Sequence, residues 1–410
     1  NQTEHFNFGQ VCGDDVTCGD DEILTYTDYI YDPAHYRFNL AQRVRQTDAT
    51  GNVVSTAELY YDGEAYAGLP LGQFTHGDLT RKLESLGPNA NNRMMPTKRQ
   101  KFDAFGNVIG IMDGNGFITT VEYDPVQHTF PVLERVYFAD GSSLSYAAAY
   151  HMGFGKVTGA TDYNGNAHAF AYDTFGRLVK IAAPGDTLDK PTQQFRYEIG
   201  SPRSAIYSDQ RVRAGEEQVI TTVVYYDGLG RQLQKRTQAE EGKVVVMEAV
   251  TFNARQSVRD QYLAYFDTGL DYKAPDPTLP KATVSYDALA RVVRTVNPDG
   301  TYNRTQYGPL TQIQYDEEDN TVGSPFANTP TTFSFDGLER LLGTEEINIV
   351  NGQLERYTTR YEYDRLGNLV KLTDAQGNVK TMRYDALGRK LQMVDPDKGE
   401  MIYTYDDAGN

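Results

Sequence analysis

The chain closes on RYDALGRKLQMVDPDKGEMIYTYDDAGN, residues 383–410. Twenty-one residues before its YD stands nearly the same phrase, EYDRLGNLVKLTDAQGNVKTMRYD, residues 362–385. Sliding the chain on itself recovers the phrase again and again: FDAFGNVI from Phe102, YDTFGRLV from Tyr172, YDGLGRQL from Tyr226, YDALARVV from Tyr286, FDGLERLL from Phe335, YDRLGNLV from Tyr363, YDALGRKL from Tyr384 and YDDAGN from Tyr405. The last three starts are 21 residues apart, and the earlier intervals, read backwards, are 28, 49, 60, 54 and 70. Fixed-period self-similarity marks a repeat architecture.

Each unit holds two turns. In the first, Asp385 to Arg389, the aspartate bonds backbone two residues on, and glycine takes the positive φ near the end. The second is D-x-x-G-N, as in Asp374-Ala375-Gln376-Gly377-Asn378, with relatives at Asp113-Gly114-Asn115-Gly116 and Asn297-Pro298-Asp299-Gly300. Between the turns the chain alternates: Met401, Tyr403 and Tyr405 share one face, and so do Leu391 and Met393. A period of two means strands. The unit therefore reads strand, turn, strand, turn. One such hairpin is marginal alone, so successive hairpins add side by side into a long twisted sheet. The fold class expected is all-β: a repetitive hairpin strip that twists and curls and can close round a cavity, and the resemblance set out below implies that it forms part of a hollow shell.

Composition agrees. Thirty Tyr, 18 Phe and 37 Gly stand beside no Trp, a balance suited to strands and turns. The formal net charge is −17, which argues against nucleic acid and against a polybasic membrane surface. No apolar run approaches the length of a membrane span. The chain lacks an initiator Met and stops inside a phrase, which reads as an excerpt of a longer protein.

The repeated Y-D-x-x-G-R/N-L/V phrase resembles the RHS/YD repeats of bacterial polymorphic toxins and animal teneurins, over about Phe102 to Asn410. YYDGEAYAGLPLGQFTHGDLTRKLESL (60–86) is similar to the segment before the repeats in B components of insecticidal toxin complexes. SVRDQYLAYFDTGLDYKAPDP (257–277) with VSYDALARVVRTVNPDGT (284–301) is similar to their middle region. The resemblance implies a strip wound into a shell around a C-terminal toxic polypeptide, held inactive until delivery, with other toxin-complex subunits as partners. It implies a secreted or cell-surface protein and no direct membrane insertion. The family's autoproteolytic core with DPxG motifs is not found here, and VDPDKGE (394–400) occupies an ordinary second-turn position. Ala290 and Glu339 replace the turn glycine, and those turns are expected to avoid a positive φ.

No catalytic residues, cofactor or metal are assigned. His5, His35, His76, His128, His151 and His168 are scattered, with no HExxH; no GxSxG or P-loop occurs. The glycines of GFGKVTGATDYNGNAHAF (153–170) read as turns. Recurrent carboxylates invite a glycosidase reading, but they occupy one motif position, and turn formation accounts for all of them together. The residues assigned a structural turn role are Asp103, Gly106, Asp173, Gly176, Asp227, Gly230, Asp287, Asp336, Asp364, Gly367, Asp385 and Gly388. The turn-ending arginines (Arg177, Arg231, Arg291, Arg389) are expected to pair with a neighbouring unit's aspartate. Cys12 and Cys18 leave two readings open: a local disulfide in an oxidising compartment, or two unpaired thiols.

The organisation expected is an acidic leader or insertion over 1–22, a strand-rich pre-repeat region over 23–95, and the repeat array over 96–410. The function expected is a non-enzymatic encapsulating shell segment. The alternative is a cell-surface adhesion or carbohydrate-binding module.

Overall fold

The computed structural model describes residues 4–7, 22–33, 36–37 and 39–410. Cys12 and Cys18 lie outside these, as do Asp14, Asp15, Asp20 and Asp21. The described residues form 32 strands and no α-helix. The strands fall into antiparallel sheets of 19 and 13 strands, and neither closes into a barrel. Strands pair with their neighbours in sequence, hairpin after hairpin. One exception is Tyr265–Thr268, which pairs back onto Lys243–Met247, while Val250–Phe252 and Val258–Tyr262 open the second sheet.

A register shift falls just before the aromatic residue of the repeat phrase, at Ala171/Tyr172, Tyr225/Tyr226, Ser285/Tyr286, Ser334/Phe335, Glu362/Tyr363 and Arg383/Tyr384. A β-bulge here re-aims the aromatic side chain and strengthens the local twist. The repeat therefore encodes a bulge as well as a turn.

The chain divides into two compact units. The first comprises Asn1–Ser145, Tyr307–Ile313 and Thr331–Asn410; the second comprises Tyr146–Gln306 and Gln314–Pro330. The chain exposes 24033 Å². Two separate compact globules, each of half the 45.9 kDa mass, would together expose only about 19,000 Å². Most strand positions, on either face, are partly covered, and few are fully buried. Among the described residues 13 hydrophobic side chains are buried against 14 polar or charged ones, and eight of the latter are aspartates. Cohesion therefore rests on turn locks and sheet ladders as much as on an apolar core.

The second unit has one well-covered region. After Tyr265–Thr268 has joined the sheet beside Lys243–Met247, the segment 269–279 covers the face of strands Arg203–Arg211, Val219–Asp227 and Gln232–Gln238. Leu270 packs against both apolar clusters, Val244/Val246/Ala249/Tyr262 and Ala205/Val223/Tyr225. Fully buried Arg236 is tied by its guanidinium to Asp267 (2.5 Å), the Gln234 side-chain carbonyl (3.0 Å) and the Gly269 carbonyl (2.9 Å). Gln234 in turn donates to the Lys273 carbonyl at 2.7 Å, and the Tyr225 hydroxyl donates to the Leu270 carbonyl at 3.0 Å. Burial pushes the Tyr225 phenol up, and its contact with Tyr207 adds to this.

Candidate functional site

The repeat phrase builds one clamp many times over. In the unit at Asp385, Oδ1 accepts the N–H groups of Leu387 and Arg389, both at 3.0 Å, while Oδ2 accepts Arg389 Nε at 2.7 Å. Asp173, Asp227, Asp287 and Asp336 repeat this geometry with Arg177, Arg231, Arg291 and Arg340. Where asparagine ends the turn, its amide replaces the guanidinium: Asn107 on Asp103 at 3.0 Å and Asn368 on Asp364 at 2.9 Å. Gly106, Gly176, Gly230, Gly367 and Gly388 all take positive φ.

Two expectations need correction. Each arginine pairs with the aspartate of its own turn, four residues before it, where a neighbour's was expected. The reason is reach: the turn folds the guanidinium back over the carboxylate that organises it. Ala290 and Glu339 do not avoid the left-handed region. Both sit at φ 63°, since the aspartate bonds and the bulge fix the turn whichever residue occupies that place.

The arginine also reaches forward. The Arg389 guanidinium stands 4.9 Å from the Tyr405 ring centre, and the Tyr405 hydroxyl donates to the Lys390 carbonyl at 2.8 Å. Arg340 and Tyr363 repeat the pair, with Tyr363 on the Leu341 carbonyl at 3.0 Å. Arg177 and Tyr197 do so too, with Tyr197 on the Leu178 carbonyl at 2.8 Å. Cation–π attraction and a hydroxyl bond thus tie these three turns to the aromatic of a following hairpin. Burial pushes the Asp336 carboxyl up, but the bonds from Arg340 overcome this and hold it below the ordinary carboxylate range. Asp336 is thereby held as the anion that its turn needs.

Two turns of this type precede the array. Asp48 in DATGN (48–52) accepts the N–H of Thr50 at 3.0 Å and of Asn52 at 2.8 Å. Asp62 closes a wider loop, taking N–H groups from Thr75, His76, Gly77 and Asp78. Sequence reasoning passed over both, although D-x-x-G-N at 48–52 was there to be read.

Within the first unit these early turns meet the last repeats along a seam. Arg365 lies 3.1 Å from Asp48. Ala386 N–H donates to the Leu86 carbonyl at 2.8 Å, and Asn89 Nδ2 donates to the Tyr384 carbonyl at 2.7 Å. Asn115 Nδ2 donates to Asp406 at 2.8 Å, and Arg93 pairs with Asp407. A cleft of about 270 Å³ lies in the seam, lined by Val53, Val54, Leu86 and Leu366. Hydrogen bonds from Thr50 and Asn52, with Arg365 nearby, hold Asp48 down at about 2. Asn115 and the Asn410 N–H hold Asp406 at about 2 as well.

Among the described residues no cluster of three or more His, Cys, Asp or Glu could hold a metal ion. His128 stacks on Phe105 at 3.9 Å and His151 on Phe154 at 4.5 Å, while His168 stands opposite Ala160 in the sheet. No helix among the described residues is long and apolar enough to cross a membrane.

Comparison with known proteins places this geometry. The RHS repeat family model matches residues 351–379 and 363–400. The double-stranded DNA deaminase toxin A of Burkholderia cenocepacia (strain H111) is 26% identical over 280 residues, covering 62% of this chain and 18% of the toxin. Among solved structures, TcdB2-TccC3 aligns with a TM-score of 0.78 at 16% identity, over 95% of this chain and 26% of the other. A Photorhabdus luminescens Tc holotoxin pore aligns with a TM-score of 0.76 at 14% identity, over 95% of this chain and 27% of the other. The likeness to these structures is one of fold. The chain spans about a quarter of their length and less than a fifth of the curated toxin's.

Proposed function

We propose that this RHS-repeat chain, whose fold is that of Tc toxin components, is a segment of an encapsulating shell in a secreted bacterial toxin. The observation that carries the reading is the pair of long hairpin sheets, of 19 and 13 strands, neither closed into a barrel. A strip that buries about as many polar as apolar side chains, with most strand positions only partly covered, is built as a wall. The clamp suits the same purpose: it fixes the turn of each hairpin that carries the phrase. The function is exclusion, keeping a toxic polypeptide from solvent and proteases until delivery, and the chain itself performs no catalysis. Its partners are that cargo and other toxin-complex subunits, and its place is outside the producing cell or on its surface.

The test is a density map of the full-length protein together with limited proteolysis. The reading requires a lumen walled by the strip and a polypeptide within it that resists protease until the wall is opened. A filled, compact centre would overturn it, as would a cargo digested at the rate of the free polypeptide. Glycan binding without a lumen would favour the adhesion reading.

A further inference from the structure

Strands Leu79–Ser85 and Met94–Phe102 carry Arg81, Lys82, Lys98, Arg99 and Lys101 against a single carboxylate, Glu84. In a chain of net charge −17 this is a local reversal of sign. The register sets like charges directly opposite one another: Arg81 faces Arg99, and Lys82 faces Lys98. Such pairs destabilise a sheet. On the lysine face Glu84 answers Lys82 at 2.7 Å. The arginine face has no such answer. Arg81 lies 4.1 Å over the Tyr60 ring, and Arg99 donates to the Asp113 carbonyl. Glu58, on the same face, is taken by Arg43 at 2.9 Å and by the Tyr60 hydroxyl at 2.8 Å. Among the described residues neither arginine forms an ion pair, and the Nε of each is buried with no hydrogen-bond partner. Buried donors left unpaired are rare and costly.

The arginine face is shaped as well as charged. Tyr60, Arg81 and Arg99 stand in one row across three strands, and Lys101 follows Arg99 by two residues on the same side. The loop 62–69 overhangs this row. A Cβ at Gly68 would stand 2.9 Å from the Tyr60 Cβ. One at Gly110, which pairs with Lys101, would collide with the Tyr66 hydroxyl. Glycine thus leaves room for a phenol whose hydroxyl ends beside Lys101 with no hydrogen bond to another described residue. We propose that Arg81, Arg99 and Lys101, with the Tyr66 hydroxyl, form a binding site for a small free oxyanion of the phosphate class. Guanidinium forks match the oxygens of such an anion, three cations suit a dianion, and the phenol adds an uncharged donor. The bound anion neutralises the opposition that the two strands otherwise bear. The overhanging loop narrows the approach, which favours a free ion over a lipid surface. The inference concerns this face alone and does not require an enclosed cargo.

The test is a titration of the full-length protein with inorganic phosphate, at constant ionic strength set by chloride, followed by phosphorus NMR line broadening. Binding should saturate, and Arg99→Gln should weaken it about tenfold. Arg99→Lys keeps the charge but loses the fork, so its affinity should fall between the two. Lys82→Gln, on the opposite face, should bind as the parent does. Broadening that never saturates marks an adventitious ion only and would overturn the proposal. So would unchanged affinity in Arg99→Gln, or an equal loss in Lys82→Gln. Flotation with phosphatidic acid vesicles runs alongside, and vesicle binding without affinity for inorganic phosphate would overturn the free ion as ligand. Melting in phosphate-free buffer separates binding from folding. Arg99→Gln should melt no lower than the parent there, because it removes a like-charge opposition. A lower melting temperature with phosphate affinity intact would assign Arg99 to the fold alone.

Discussion

At the residue scale, one carboxylate decides each turn, and its neighbours show which parts of the phrase are interchangeable. Arginine and asparagine both cap the aspartate, because each presents an N–H to Oδ2 from the same place. Glycine, alanine and glutamate all occupy the left-handed position, but not at equal cost, since a Cβ there is strained by about 1–2 kcal/mol. Ala290→Gly and Glu339→Gly should therefore stabilise the chain by about 0.5–1 kcal/mol each. Gly388→Ala should destabilise it by about 1 kcal/mol or more by the same argument. Urea unfolding of the three variants checks the signs, and stabilisation by Gly388→Ala would contradict the assignment. Tyr363→Phe removes the hydroxyl that bonds the Leu341 carbonyl while leaving the ring over Arg340. It should cost about 1 kcal/mol, and Tyr363→Leu should cost more because the cation–π contact goes too.

At the scale of elements, the strands and turns of the array were legible because the phrase repeats and period two leaves no other local structure. Legible too was the turn role of Asp385 and its kin, from the known ability of aspartate to bond backbone two residues on. The bulge before each aromatic was not legible, because nothing in a Tyr-Asp pair announces an extra residue in the ladder. The direction of the arginines was misread since a sequence gives spacing and not which way a turn folds a side chain. Least visible was Arg236, which sits in an alternating strand, QLQKRTQ, and reads as a solvated face. It is fully buried because the distant segment 269–279 lies over that strand, and no local pattern reports such a cover. Its guanidinium serves Asp267, Gln234 and the Gly269 carbonyl at once. Arg236→Leu takes the guanidinium from all three, and although Asp267 keeps Lys273 at 2.8 Å, the Gln234 and Gly269 carbonyls lose this donor, so it should destabilise the chain by about 2–3 kcal/mol. Hydrogen exchange should show the loss first in 265–279. Uniform loss across the chain would mean that this segment is not a separate cover.

At the scale of the molecule, stability comes from fastening a strip to itself, and the seam of the first unit is one place where acid should act. Asp48 and Asp406 both have folded-state values of about 2, below the ordinary unfolded value near 3.9. A carboxylate depressed by folding contributes stability that is fully present above its unfolded value and lost as pH falls through its folded one. The seam should therefore hold at neutral pH and at pH 5, weaken below about pH 4, and lose this contribution near pH 2. Mild endosomal acidity would not release it. Thermal unfolding of the protein followed from pH 6 to pH 2 tests this, with Asp48→Asn as the control. Asparagine can still accept from Thr50 and Asn52, but it carries no charge for Arg365. The variant should begin less stable than the parent at pH 6 and show a shallower decline below pH 4. A parent that loses the Ala386 to Leu86 bond already between pH 6 and pH 5, read by exchange of the Ala386 amide relative to strand amides of the same unit, would show that groups other than these two carboxylates govern the seam.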